Sequence, residues 1–457
     1  NRFIGSGDNG IGYYMYHGGS TPRGTRDYFS DVAVGCPIIS YDFQAPIGEY
    51  GLVNPSFHRL KLLQFFLKAF GEVLAPMQTI LPAEYDVIKP EHDSALKYAV
   101  RSKNGRGFIF MNNYQDHLPR KDIVDIQFRL LSGTADLQIP ESGGFTLKKD
   151  KHAIFPFHLD LGGVNLNYAT TQLLTKLVND LRTYYIFFAP DGIDAEYSIR
   201  KADGINIIGK SGCKVSRNSD RFMVNCERTK PSEFRIRKTN GETIHILTID
   251  HSLAMKSYIT KLNCVTRIMF SDALILQKGE LLDLLSLNQY SFQLSVYPMI
   301  EVDPKLSSGI ISGLNNTGSI FSTFYIELPE HQFNPEVQII QNNKIQISLP
   351  SGKPEGINDM FLVLDYIGDT GIGFLDAELV ADNFYNGSNW SIGLKRFLDL
   401  PEKPEMVFFS LDGFPDAPYM DDLTTSGIII PDEALNNVMI NNVKLIPEYQ
   451  TTVSFPE

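Results

Sequence analysis

The 457 residues carry a formal net charge of -12 with a pI near 5.3, and 43% of them are hydrophobic against 21% charged. That balance belongs to a folded globular chain and excludes wholesale disorder. The acidic total and the lack of a Lys/Arg stripe exclude a polyanionic partner such as nucleic acid, and no apolar run reaches the roughly 18 residues of a membrane-spanning helix.

The length predicts roughly two to four domains. The chain starts at Asn1 rather than Met, so a processed leader or a larger preceding segment is expected. Ile11 to Tyr16 (IGYYMY) reads as a short buried strand, ended by His17-Gly18-Gly19, where glycine permits a sharp turn. A polar loop follows to about Val53. Asn54 as N-cap and Pro55 at the first helical position then open a helix. Its apolar positions Phe57, Leu60, Leu63, Leu67 and Phe70 keep helical spacing, Gly71 lies near its end, and Pro76 prevents continuation. One strand and one helix form a single α/β unit, which cannot bury its own faces.

From Glu84 the pattern turns to strands. Leu96–Val100 and Gly107–Met111 flank Asn104-Gly105, a strong hairpin signal, and Ile123–Leu130 reads as a third strand. Thr170–Leu181 reads as a helical piece, Tyr184–Ala189 as a buried strand, and Thr243–Ile249 as one of several short strands between Ile199 and Leu282. Phe292–Tyr297, Thr323–Leu328, Lys344–Leu349 and Phe361–Tyr366 continue the series, punctuated by turns at Asp303–Ser308 and Gly313–Gly318. The expected fold is mainly β: antiparallel β-sandwich or jelly-roll domains. The expected divisions are 1–76, 77–200, 201–288 and 289–457.

Cys36, Cys213, Cys226 and Cys264 fit no zinc spacing, and no metal cluster or cofactor motif is present. Cys213 and Cys226 have the spacing to meet across a hairpin, but the usual burial of free cysteine favours reduced thiols. Asn315, Asn386 and Asn389 open Asn-x-Ser/Thr sequons, which matter only in a secreted eukaryotic protein.

Three segments together resemble glycoside hydrolase family 35, the β-galactosidases. Tyr14-Met15-Tyr16-His17-Gly18-Gly19-Ser20 is similar to the family's Tyr-Met-Phe-x-Gly-Gly-Thr at the eighth barrel strand. Ser40-Tyr41-Asp42-Phe43-Gln44-Ala45-Pro46, followed by Glu49-Tyr50-Gly51, resembles its Ser-Tyr-Asp-Tyr-Asp-Ala-Pro and Glu-Ala-Gly. Ala381-Asp382-Asn383-Phe384-Tyr385-Asn386-Gly387, with Trp390 behind it, is similar to a motif of bacterial jelly-roll domains. The resemblance is sharp within Tyr14–Gly51 and looser elsewhere.

The resemblance implies that residues 1–76 are the last strand, loop and helix of a (β/α)8 barrel, followed by β-domains. It implies retaining, exo-acting release of terminal β-linked galactose from oligo- or polysaccharides by two glutamates about 5–5.5 Å apart. Both lie upstream of the Tyr-Met-Phe strand in the family. Here 13 residues precede Tyr14 and none is Glu, so the catalytic pair is expected outside this chain, which alone is expected to be inactive. A non-catalytic carbohydrate-binding or scaffolding role is the alternative.

Tyr14 matches a family tyrosine in the sugar site, where its hydroxyl steadies the nucleophile; otherwise it is an inward-facing core residue. Phe43 falls where the family has a second sugar-contacting tyrosine. Its lost hydroxyl leaves open a changed sugar preference. His17 either touches substrate or stabilises the Gly-Gly turn. The resemblance makes Asp42 and Glu49 loop-fixing residues rather than acid and base, and makes the sole tryptophan, Trp390, a core anchor rather than a sugar platform. Resemblance alone places the protein in the periplasm or outside the cell. Homo-oligomerisation is possible.

Overall fold

The computed structural model describes residues 1–25, 27–29, 36–131, 136–315, 319–349, 352–375, 377–398, 406–414, 420, 427–435 and 437–456. The molecule is mainly β, built mostly of antiparallel strand pairs, with 182–189 and 243–250 running parallel, and the one long helix among the described residues is Pro55–Leu74.

The first sandwich pairs two sheets. One has eight strands, in the order 213–217, 221–226, 195–200, 165–169, 152–160, 106–112, 97–103 and 78–80. The other has five, in the order 172–179, 182–189, 243–250, 232–238 and 205–211. Alternate side chains of each sheet point inward, and Phe108, Tyr197 and Phe222 from one meet Tyr185, Phe187 and Phe234 from the other in one apolar core. Asn104 and Gly105 both take positive φ, 54° and 73°, which is what the tight turn joining 97–103 to 106–112 requires.

The Pro55–Leu74 helix lies against this sandwich. Its buried residues are Lys61 and the four-residue repeat Leu62, Phe66, Phe70 and Leu74. Of the positions expected from sequence, Phe70 is buried and Leu63 and Leu67 pack half-buried against the core, while the centre of the buried face is shifted to Leu62 and Phe66. Phe66 meets the Phe108 ring edge-on at 5.3 Å. The helix also runs through Gly71 to Leu74. At its end the buried Arg101 guanidinium donates to the carbonyls of Leu74 (3.3 Å), Met77 (3.1 Å) and Ile4 (2.8 Å). These donors satisfy carbonyls that a helix terminus leaves open.

Beyond the first sandwich lie sheets of strands 257–262, 265–271, 291–297, 322–327 and 310–315, of 274–278, 281–287, 439–454, 357–367 and 390–393, and of 336–341, 344–348, 406–411, 370–375 and 378–384. One extended core joins them, with Phe324, Met360, Tyr366, Trp390 and Phe409 in it.

Several expectations are corrected. Ile11–Tyr16 is no strand: no strand among the described residues pairs with it along its length, and Tyr14 is 85% exposed. No barrel strand is therefore seen there. Thr170–Leu181 is a strand at Gln172–Asn179 turning into Arg182–Ala189, not a helix. A bulge between Leu173 and Thr175 breaks the two-residue alternation, and both leucines there are buried, Leu173 in the core of the first sandwich and Leu174 in a separate apolar cluster with Leu177. Ile123–Leu130 is two strands, 123–126 and 128–131, which pair separately with 145–147 and 136–139. The expected turn at Asp303–Ser308 holds a two-residue strand, 305–306, on 453–454. Residues 316–318 of the Gly313–Gly318 stretch and the Asn315 side chain lie outside the described residues.

Cys213 and Cys226 are directly opposed on adjacent strands and form a disulfide, correcting the reduced-thiol expectation. Burial of free cysteine is a weaker argument than register. Denatured without reductant, the chain is expected to show two thiols by titration, from Cys36 and Cys264; four would contradict the pairing. Reduction is expected to cost about 3 kcal/mol of stability in chemical denaturation.

Candidate functional site

The segments that carry the motifs come together in space. Residues 19–20 pair with 40–41, setting Gly19 opposite Tyr41 and Ser20 opposite Ser40. Gly18 N donates to Ile47 O at 2.7 Å and Ile47 N to Tyr16 O at 3.0 Å, which closes the 36–54 loop onto the 14–20 segment. Gly18 is required by this closure, since a Cβ there would lie 2.9 Å from Asp42 Cα and 3.0 Å from Glu49 N.

Asp42 organises the loop from within. Its Oδ1 accepts from Gln44 N at 2.9 Å and its Oδ2 from Glu49 N at 2.5 Å. Those bonds support Phe43 and Gln44, whose φ values of 48° and 51° are left-handed and cost a non-glycine residue about 1–3 kcal/mol. The backbone so bent turns the Phe43 ring outward, 67% exposed. Tyr41 stands beside it, ring centroids 4.7 Å apart and edge-on, and the Tyr41 and Tyr14 hydroxyls are 2.5 Å apart. Tyr14, Tyr41 and Phe43 thus make one solvent-facing aromatic rim. His17 lies to the side, exposed, its Nδ1 against the Gly18 carbonyl.

Glu49 is buried beneath the rim. Its carboxyl accepts from Ser20 Oγ, and Arg396 Nη1 sits 3.8 Å away while also bonding Ser20 Oγ at 2.8 Å. Burial raises its pKa, and the Ser20 and Ser40 hydroxyls and Arg396 oppose that rise. The Arg396 guanidinium also lies 4.4 Å above the Tyr50 ring. Asp42 and Glu49 are therefore both engaged internally, and neither is free to serve as general acid or base.

Asp382 fastens the loop to the last sheet. Its carboxylate accepts from the N–H groups of Ile38, Ile39 (2.8 Å) and Ser40 (2.7 Å), and it is only 2% exposed. Tyr28 Oη donates to Leu379 O at 2.7 Å, and Arg23 pairs with Glu378 at 2.7 Å. Sequence reasoning missed Asp382, Arg396 and Tyr41. The available signal was Asp382 itself, a charged residue that directly follows the apolar run Leu379–Ala381 and must find a partner if it is buried. Trp390 is a core residue, edge-on to Phe409 at 5.4 Å, and Gly371 makes room for it: a Cβ there would meet its ring at 2.8 Å. Among the described residues no group of three or more His, Cys, Asp or Glu is placed to hold a metal ion.

Asp382→Ala is expected to cost about 3–5 kcal/mol, because three N–H groups lose a charged acceptor at once. Urea unfolding measures this; a loss below about 1 kcal/mol would show that the loop is held by other means.

No protein-family model matches the chain. It is 21% identical over 258 residues to probable β-galactosidase B of Aspergillus fumigatus, covering 55% of this chain and 24% of that protein. It is 26% identical over 223 residues to probable β-galactosidase B of Penicillium rubens, covering 46% and 20%. The chain thus spans about a quarter or less of the length of the curated relatives it matches. A solved structure, the GH31 α-xylosidase of Xanthomonas citri, covers 83% of this chain at 8% identity with a TM-score of 0.13, too low to carry an argument. Over about half its length the chain is distantly related to probable β-galactosidases, a relationship to glycosidases.

Proposed function

We propose that the chain is part of a family 35 β-galactosidase, and that Tyr14, Tyr41 and Phe43 are the portion of the sugar site it contributes. The observation that carries this reading is the rim itself. Two segments that resemble the family's sugar-contacting motifs converge on one exposed aromatic patch. A pyranose has an apolar face of C–H groups that packs on an aromatic ring, and equatorial hydroxyls that bond phenols. Tyr14 and Tyr41 offer the hydroxyls, and Phe43 offers a face without one.

Among the described residues the rim has no free carboxylate pair. In this reading the retaining glutamates come from outside this chain, which binds the galactoside without cleaving it. The β-domains hold the rim in place. Secretion to an oxidising compartment is part of the proposal, and the Cys213–Cys226 disulfide supports it.

Calorimetric titration of the chain with methyl β-galactoside is the test. Tyr14→Ala is expected to weaken binding about tenfold, about 1.4 kcal/mol, and Trp390→Phe to leave binding unchanged while lowering the melting temperature. Phe43→Tyr is expected to shift preference between galactoside and glucoside. Equal effects of the Tyr14 and Trp390 substitutions, or hydrolysis of an aryl β-galactoside by the chain alone, would overturn the reading.

A further inference from the structure

A cavity of about 460 Å³ lies between the Pro55–Leu74 helix, the loop that carries the rim, and strands 257–262 and 274–278. Its walls are mostly apolar, with Val53, Phe57, Phe65, Leu274 and Leu276 among them. Five polar side chains also line it, His17, Lys61, Tyr258, Thr260 and Gln277, and three of them are buried: Lys61 is 7% exposed, Tyr258 7% and Thr260 3%. Lys61 Nζ, Tyr258 Oη and Thr260 Oγ1 have no hydrogen-bond partner. Tyr258 and Thr260 stand two residues apart on one strand, so both face the same side. Lys61 Nζ lies 3.7 Å above the Tyr258 ring, a cation–π contact that offsets only part of the cost of burying an ammonium.

A buried amine and two buried hydroxyls left unpaired are costly, and an accepting group that enters the cavity offsets that cost for each donor it reaches. The other polar groups nearby are already occupied. The Gln277 amide is bonded to the backbone of Lys261 and Gly279, His58 Nδ1 to Met255 O at 3.2 Å, and His17 Nδ1 to the Gly18 carbonyl. Asp272, on the strand connection behind Tyr258, is paired with Lys256 at 2.7 Å. None of the residues lining the cavity is Asp or Glu.

We propose that this cavity binds a small monocarboxylate carried on an apolar body, its carboxylate accepting hydrogen bonds from Lys61, Tyr258 and Thr260. The apolar walls take the body of the ligand and the three donors select the anion over a neutral analogue. This site is independent of the carbohydrate reading. Burial holds the Lys61 amine down to about 7, so the empty site is charged below neutrality and neutral above it. An anion binds the charged form, so affinity is full below pH 7 and falls about tenfold per pH unit above it.

The experiment titrates the 457-residue chain with phenylacetate, and with 2-phenylethanol as its neutral counterpart, by calorimetry at pH 6 and pH 9. Phenylacetate is expected to bind saturably at pH 6, at least tenfold tighter than the alcohol, and to weaken at least tenfold at pH 9. Lys61→Met is expected to abolish that preference while raising the melting temperature at pH 6, since it removes a buried charge. Should Lys61→Met fail to fold, Thr260→Val is expected to weaken phenylacetate severalfold. Absence of phenylacetate binding, equal binding of acid and alcohol, an unchanged affinity at pH 9, or a folded Lys61→Met chain that binds as well as wild type would each overturn the proposal.

Discussion

The carboxylate of Asp382 is the point on which the candidate site depends. A buried carboxylate must be compensated, and here three consecutive backbone N–H groups, from Ile38 to Ser40, do so. This loop's own ladder is only the two-residue pairing of 40–41 with 19–20, so a fixed shape calls for further partners for its backbone. The bond set converts residues 38–40 from a free connection into an extension of the last sheet. From there the order passes outward: Ser40 pairs with Ser20, Asp42 bends the chain at Phe43 and Gln44, and Tyr41 and Phe43 are presented to solvent beside Tyr14.

The layers beneath the rim have matching roles. Glu49, Ser20 and Arg396 form a polar knot in which a buried carboxyl, a hydroxyl and a guanidinium satisfy one another. The Pro55–Leu74 helix continues directly from this loop, and Arg101 and the Phe66–Phe108 contact fix it to the first sandwich. The loop is therefore tied at one end to the first sandwich and at the other to the last sheet. A rim held at both ends is pre-organised, which lowers the ordering cost of binding a ligand.

Much of the β-architecture was legible in the sequence because its signals are local. Asn104-Gly105 requires a tight turn, and Tyr184–Ala189 and Phe361–Tyr366 are apolar runs too short for helices and fall on strands 182–189 and 357–367. Pro55 began the helix as expected, but its buried face turned on contacts with Phe108 and Tyr185 that no periodicity contains. Ile11–Tyr16 misled because an apolar run is a strand only when another strand takes its backbone bonds. Gln172–Asn179 misled because a bulge breaks its alternation. At the site, the motif residues were visible as types but their partnerships were not. The Asp382 bond set crosses more than 340 positions, and so does the Arg396 bond to Ser20. The Lys61 cavity gave no sequence signal, since a lysine on a helix is ordinarily solvated.

The most direct measurement is hydrogen–deuterium exchange of the chain with and without a β-linked galactosyl disaccharide. A sugar site on the rim predicts slowed exchange in the peptides that cover 14–20 and 38–50, with the Trp390 region unaffected. Protection confined to the last sheet, or none at saturating disaccharide, would contradict it.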